Sequence, residues 1–243
     1  MNKYIIVLVF FTVVFSQCTS LQVSDGLKTA GKIVKQNNTL STEEVSKGLK
    51  EALVQGAVKG SSQASQLNGY FKNKLLKIVV PPEMLVVNQK LRSLGMNRLM
   101  DDFEMSLNRG AEEAAKEAKP IFVSAITSLT IQDAWKILKG EPDAATFYLK
   151  RTTGNQLETA FTPIIKNSLQ KVNATKYYSD IITMYNQIPM VEKVNPELEK
   201  YVTEKAIEGL FTLIKQEEEN IREHPAARVT ELLKKVFSSV NQK

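Results

Sequence analysis

The chain is 243 residues long, 43% hydrophobic and 24% charged, with a formal net charge of +6, eleven glycines and eight prolines. That length and composition suit a globular protein able to bury a sizeable core. The scarcity of Gly and Pro, and the lack of any long run of β-branched residues alternating with polar ones, argue against a β protein. One cysteine excludes an internal disulfide, and one histidine excludes His-Glu-x-x-His zinc binding and any multi-histidine site.

Residues 1–17 read as a signal peptide. Lys3 supplies the positive start and Tyr4 to Phe15 the apolar run, which is too short to cross a bilayer but fits a secretory signal. Two processing routes fit. In one, Cys18 is the acceptor of a bacterial lipoprotein signal and anchors the mature chain to the membrane through a lipid. In the other, an ordinary peptidase cuts near Ser16. The lipid route accounts for the position of the lone cysteine and is the one favoured. Loss of residues 1–17 removes Lys3 alone and lowers the formal charge from +6 to +5. The remaining charge is dispersed and interleaved with Glu, and no stacking-aromatic pattern accompanies it, so nucleic acid is not an expected partner.

Residues 18–40 are expected to be a tether and weak helix, and residues 41–240 a single helical domain. Ser41 with Glu44 spells a capping box. The following helix places Val45, Leu49, Ala52, Leu53, Gly56, Ala57 and Gly60 on one face. Ser61 to Gly69 is polar and is expected to fray into a loop, and Tyr70 to Val79 is apolar, helical or extended. Pro81-Pro82 opens a helix to about Leu94 that Gly95 closes.

Leu99, Met100, Phe103 and Leu107 then lead into a strip of small residues, Gly110, Ala111, Ala114, Ala115 and Ala118. This strip marks a central helix that others can approach closely, with the first helix as a partner. Pro120 predicts a kink or break. Thr130 caps Ile131 to Lys139, Gly140 stands at C′, and Trp135 falls at a core spacing. Ala144 to Lys150 is one helix. Thr153 with Gln156 spells a second capping box opening another, which Pro163 kinks or splits. Helices follow over Tyr178 to Tyr185, Leu198 to His224, and from Pro225, with Val229, Leu232, Leu233, Val236 and Phe237 inward. The expectation is an all-α, single irregular domain of about nine helices.

Candidate site residues are polar groups beside apolar strips: Asn108, Arg109 and Glu112 on the central helix, Asp133 opening a helix, and Arg151 with Thr152 at a helix junction. Together they could line a polar pocket for an anionic ligand; as caps and salt bridges they would instead fix helix packing. Glu217-Glu218-Glu219 reads as a solvated face. No nucleophile elbow, phosphate loop or dinucleotide fingerprint is present, so no cofactor is expected.

Several runs in order, GLKEAL at Gly48 to Leu53, NRGAEEAAKEAKPIF at Asn108 to Phe122, DAATFYLKRTT at Asp143 to Thr153, YVTEKAIEGLF at Tyr201 to Phe211 and IRxxPxxRxTxLLKKVF at Ile221 to Phe237, carry a resemblance. With the Asp133-Ala134 to Gly140 turn, they resemble the bacterial envelope proteins grouped as domain of unknown function 4197. The resemblance covers nearly all of the chain from Leu40 onward. It implies an exported, mostly helical domain, often attached as a lipoprotein, and implies no activity. The expected role is a non-enzymatic binding or scaffold protein whose partner is an envelope protein or an amphiphilic ligand held between helices. The alternative is a carboxylate-dependent hydrolase using Glu112 or Asp133.

Overall fold

The computed structural model describes residues 41–240 apart from 172, 192 and 194–196. The signal segment 1–17, the tether 18–40 and the lipid acceptor Cys18 lie outside the described residues. The described chain is all-α, with no strand among the described residues. Its helices are α1 (Thr42–Ala64), α2 (Leu85–Ser93), α3 (Asn97–Ala114), α4 (Ala118–Thr127) and α5 (Ile131–Lys139), followed by α6 (Ala144–Lys171), α7 (Ala174–Asn186), α8 (Leu198–Glu223) and α9 (Glu231–Val240). Single 3-10 turns at Pro82–Met84, Ala115–Glu117 and Pro225–Ala227 join some of them.

α1 starts as its sequence spells. The Ser41 hydroxyl accepts from the Glu44 amide, and the Glu44 carboxylate accepts from the Ser41 amide at 2.9 Å. The helix runs on through Ser61, which is buried and bonds back to the Ala57 carbonyl, so the expected fraying is confined to residues beyond Ala64. Tyr70 to Val80 forms turns and irregular chain, neither helix nor strand. Its polar backbone is held by side chains of α3, described below.

The small-residue strips are buried, but their partners differ from the simplest expectation. Cβ atoms added at Gly56 and Gly60 would lie 3.4 Å from Glu217 and Leu213, so this face of α1 rests on α8. On α3, a Cβ at Gly110 would lie 3.3 Å from Leu169, so α3 rests on α6. The strip meets α1 from the Ala115–Glu117 turn onward, mostly through α4. That turn is the break predicted near Pro120. Pro120 itself is the third residue of α4, where a missing donor leaves no intrahelical bond unmade.

Thr130 caps α5 by accepting from the Asp133 amide. Gly140 is extended (φ −80°, ψ −172°) rather than left-handed, and glycine is needed there for space: a Cβ would lie 2.8 Å from the Lys136 carbonyl oxygen. Trp135 is half-buried, with Lys139 Nζ 4.8 Å from its ring centroid, and so is not a full core residue.

The larger correction concerns α6, which is one helix of 28 residues through both Thr153 and Pro163. Thr153 is fully buried and its hydroxyl donates to the Leu149 carbonyl, so it caps nothing. Apolar contact at Leu149, Leu157, Phe161 and Ile165, each 0% exposed, holds the helix through these residues. The core runs between α6, α8, α3 and α1. Leu233, Val236 and Phe237 of α9 reach it, whereas Val229 is 68% exposed, because the Pro225–Ala227 turn delays the last helix to Glu231.

Candidate functional site

The polar residues of α3 form one cluster, and it faces the chain itself. Asn108 is fully buried; its Oδ1 accepts from the Ile78 amide at 2.8 Å, and its Nδ2 donates to the carbonyls of Ile78 at 2.8 Å and Glu104 at 2.7 Å. One turn on, Glu112 Oε1 accepts from the amides of Tyr70 and Phe71, each at 3.2 Å. Its other oxygen takes the Arg109 guanidinium, which also donates to Asn68 Oδ1 at 2.9 Å and lies over the Phe71 ring. The i, i+4 spacing of Asn108 and Glu112 therefore supplies two clamps for an irregular segment that has no ladder of its own. Tyr70 completes it by donating to the Ala206 carbonyl at 2.6 Å. Burial pushes its hydroxyl far above the ordinary tyrosine range, and the Glu112 carboxylate adds to the shift.

A second carboxylate works in the same manner, and the sequence reading missed it. Glu218, placed in a charge run and expected to be solvated, is buried. It accepts from the Ala145 amide at 3.0 Å, and from the Thr146 amide and hydroxyl at 2.8 Å each, which caps the amino end of α6 from another helix. Arg222 donates to it at 2.8 Å and to the Ile137 carbonyl, at the end of α5, at 2.9 Å. Arg228 ends α8 likewise, donating to the carbonyls of Ile221 at 2.9 Å and Arg222 at 2.7 Å.

The remaining candidates lie elsewhere. Asp133 and Arg151 line one shallow cleft of about 450 Å³ with Lys136, Glu141, Asp143 and Tyr148. The Thr130 hydroxyl holds the Asp133 carboxyl below the ordinary aspartate range, with help from Lys136 and Arg151. Arg151 stacks over Tyr148. Thr152 sits inside α6, not at a junction, with its hydroxyl turned to the Tyr148 carbonyl. Arg109 and Glu112 line a different cleft, of about 440 Å³, with Lys116, Ser168 and Lys171. The six residues thus do not form a single pocket. Among the described residues no group of three or more His, Cys, Asp or Glu side chains is placed to hold a metal ion.

A further concave feature is apolar. A groove of about 970 Å³ runs along the outer face of α1, floored by Val54 and Val58 and walled by Ile131, Val229, Thr230 and Leu233. Lys47, Lys50, Lys59, Glu43 and Glu51 stand on its rim. The walls are tied together by the Thr230 hydroxyl to Glu51, at 3.2 Å, and by Gln55 to the Ala227 carbonyl, at 3.3 Å. This volume lies at the upper end of the range for small-molecule sites. Sequence reasoning missed the groove because three segments far apart in the chain build it. The only local signal is that Val54 and Val58 fall off the main apolar face of α1; Val229 reads as inward in the sequence and stands on the groove wall instead.

Among the described residues no helix is long and apolar enough to cross a membrane. The family described as "Protein of unknown function (DUF4197)" matches residues 39–238. No curated protein and no solved structure matches the chain.

Proposed function

The chain belongs to the DUF4197 family of proteins of unknown function, and from that premise we propose that it is an exported, lipid-anchored envelope protein that binds a partner and catalyses no reaction. The partner is an amphiphilic ligand seated in the groove between α1 and the 229–233 segment. One observation carries this reading: the large accessible concavity is apolar, while the groups suited to acid–base chemistry are engaged in holding the backbone.

Export and anchoring rest on the apolar run from Tyr4 to Phe15 followed by Cys18. The competing reading, a carboxylate hydrolase, has less support. Glu112 is bound by two amides and Arg109, Asp133 by the Thr130 hydroxyl, and the two carboxylates line separate clefts.

Uptake of a neutral apolar dye, N-phenyl-1-naphthylamine, by the full chain tests the groove. The wild type is expected to bind the dye, and Val58→Asp and Val229→Asp to lose it while retaining the helical circular dichroism spectrum. Variants that bind as well as the wild type refute the groove. The anchor is tested by intact mass from the native membrane fraction: residues 18–243 plus a lipid group are expected, and an unlipidated soluble chain refutes it.

A further inference from the structure

The corner that α3 clamps holds a reactive pair. Asn68 and Gly69 form the single Asn-Gly sequence in the chain, and both are half-buried, within reach of water. The turn needs each residue. Asn68 has φ 70°, a left-handed conformation that asparagine tolerates better than most side chains. A Cβ on Gly69 would lie 2.5 Å from the Ala64 carbonyl oxygen and closer still to that of Gln63, so no side chain fits there. The fold therefore selects the dipeptide most prone to lose ammonia, because a following glycine leaves its amide nitrogen open to attack the asparagine side chain.

Both partners of that reaction are engaged. The Gly69 amide donates to the Gln66 carbonyl at 2.9 Å. Asn68 Oδ1 accepts from Arg109 Nη2 at 2.9 Å, which draws the side chain to α3. Arg109 is itself fixed by Glu112 and lies over the Phe71 ring, and Glu112 holds the amides of Tyr70 and Phe71. Attack on the Asn68 Cγ requires the Gly69 nitrogen to leave Gln66 and the side chain to leave Arg109.

We propose that Asn68–Gly69 is a latent deamidation site, closed in the folded chain by the bond to Gln66 and the Arg109 brace, and opened when this corner loosens. On opening, the Gly69 nitrogen gives its proton to water and forms a bond to Cγ; the Cγ–Nδ2 bond breaks and ammonia leaves. Water then opens the cyclic imide to aspartate or isoaspartate, with no change of oxidation state. Either product puts a carboxylate where a neutral oxygen faced Arg109, in competition with Glu112 for the guanidinium. Isoaspartate also adds a methylene to the backbone beside Tyr70, whose amide and hydroxyl are both pinned, so the corner does not close again as before. The modification is a one-way record of opening around Tyr70. The site is separate from the groove and independent of what fills it.

The test follows, in the full chain at mildly alkaline pH, the mass gain that accompanies exchange of ammonia for water in the tryptic peptide 60–72, whose only asparagine is Asn68. Conversion in guanidinium chloride that unfolds the chain is expected to be roughly tenfold faster than in native buffer, or more. Arg109→Gln is expected to speed native conversion roughly tenfold, and the remote Glu218→Gln to change it much less, with circular dichroism confirming that both are folded. In the wild type, conversion is expected to rise with denaturant well below the unfolding midpoint, which needs no variant. Native conversion as fast as in the unfolded chain overturns the closure, and no conversion in either state overturns the site. Equal acceleration by the two variants, or conversion that tracks only the globally unfolded fraction, overturns the brace. Slower conversion in Arg109→Gln would make the guanidinium an activator of the Cγ carbonyl and overturn the brace as well.

Discussion

Arg222 lies one turn beyond Glu218 on α8, and the pair closes the ends of two other helices at once. Glu218 receives the first amides of α6 and Arg222 gives to the last carbonyls of α5, so each charge faces the helix end of opposite sign. Replacing Glu218 with Ala leaves two buried amides and a largely buried guanidinium without their partner. A loss of about 3–5 kcal/mol is expected in urea unfolding. Glu218→Gln keeps the shape and one acceptor, and about 1–3 kcal/mol is expected. Equal losses would mean that the charge contributes nothing.

Asn108 acts on Ile78 as a neighbouring strand would, with one acceptor and one donor. Asn108→Ala is expected to destabilise the fold by about 2–3 kcal/mol, because both groups of Ile78 remain buried and unpaired. Asn108→Asp is expected to be worse at neutral pH, since its second oxygen faces the carbonyls of Ile78 and Glu104. Amide hydrogen exchange at Ile78 is the readout. Exchange there as slow as in the wild type would disprove the clamp.

Two helical glycines are expected to respond oppositely to alanine. At Gly154 of α6 nothing lies within 4 Å of an added Cβ, and Gly154→Ala is expected to stabilise by about 0.5–1 kcal/mol. At Gly209 of α8 the Cβ would lie 2.8 Å from Tyr70 Cε1, on a ring pinned through its hydroxyl. Gly209→Ala is expected to destabilise by about 1–3 kcal/mol despite the better helix former. Thermal midpoints moving in the same direction would contradict the packing described here.

Two caps give the domain an acid-sensitive edge. The carboxyl of Glu44 is held below its ordinary value by the Ser41 amide and by Lys235, and that of Asp133 by the Thr130 hydroxyl. A carboxyl depressed in the folded chain stabilises it above the unfolded value, and that contribution disappears as the pH falls through the folded value. The starts of α1 and α5 are therefore expected to loosen below the ordinary carboxylate range. Amide chemical shifts at Glu44 and Asp133 follow this, and Thr130→Val should return Asp133 toward its ordinary titration while leaving Glu44 unchanged.

The helical class was legible because the periodic strips of α1, α3 and α8 are long and their signals lie within a few residues. Ser41 and Glu44 spell a cap and make one. Thr153 and Gln156 spell the same cap and make none, because Leu149 and Leu157 on either side are both buried and keep the helix going. Glu218 was invisible for a related reason. Its neighbours Glu217 and Glu219 share its charge, and the amides it binds lie more than seventy residues earlier in the chain. Asn108 and Glu112 could be singled out as polar groups beside an apolar strip, but the segment that they hold has no periodic pattern that would show what they face. The groove depends on where α9 begins, which the Pro225–Ala227 turn sets and hydrophobic spacing does not.

The continuity of α6 makes it a single beam between two clefts. Arg151 stands beside one and Lys171 beside the other, about 30 Å apart along the axis. Between them the beam has one notch: Pro163 withholds the donor that the Thr159 carbonyl would otherwise receive. A load at either cleft is therefore carried along a rod whose weakest section is known in advance, so bending in this domain has a named joint.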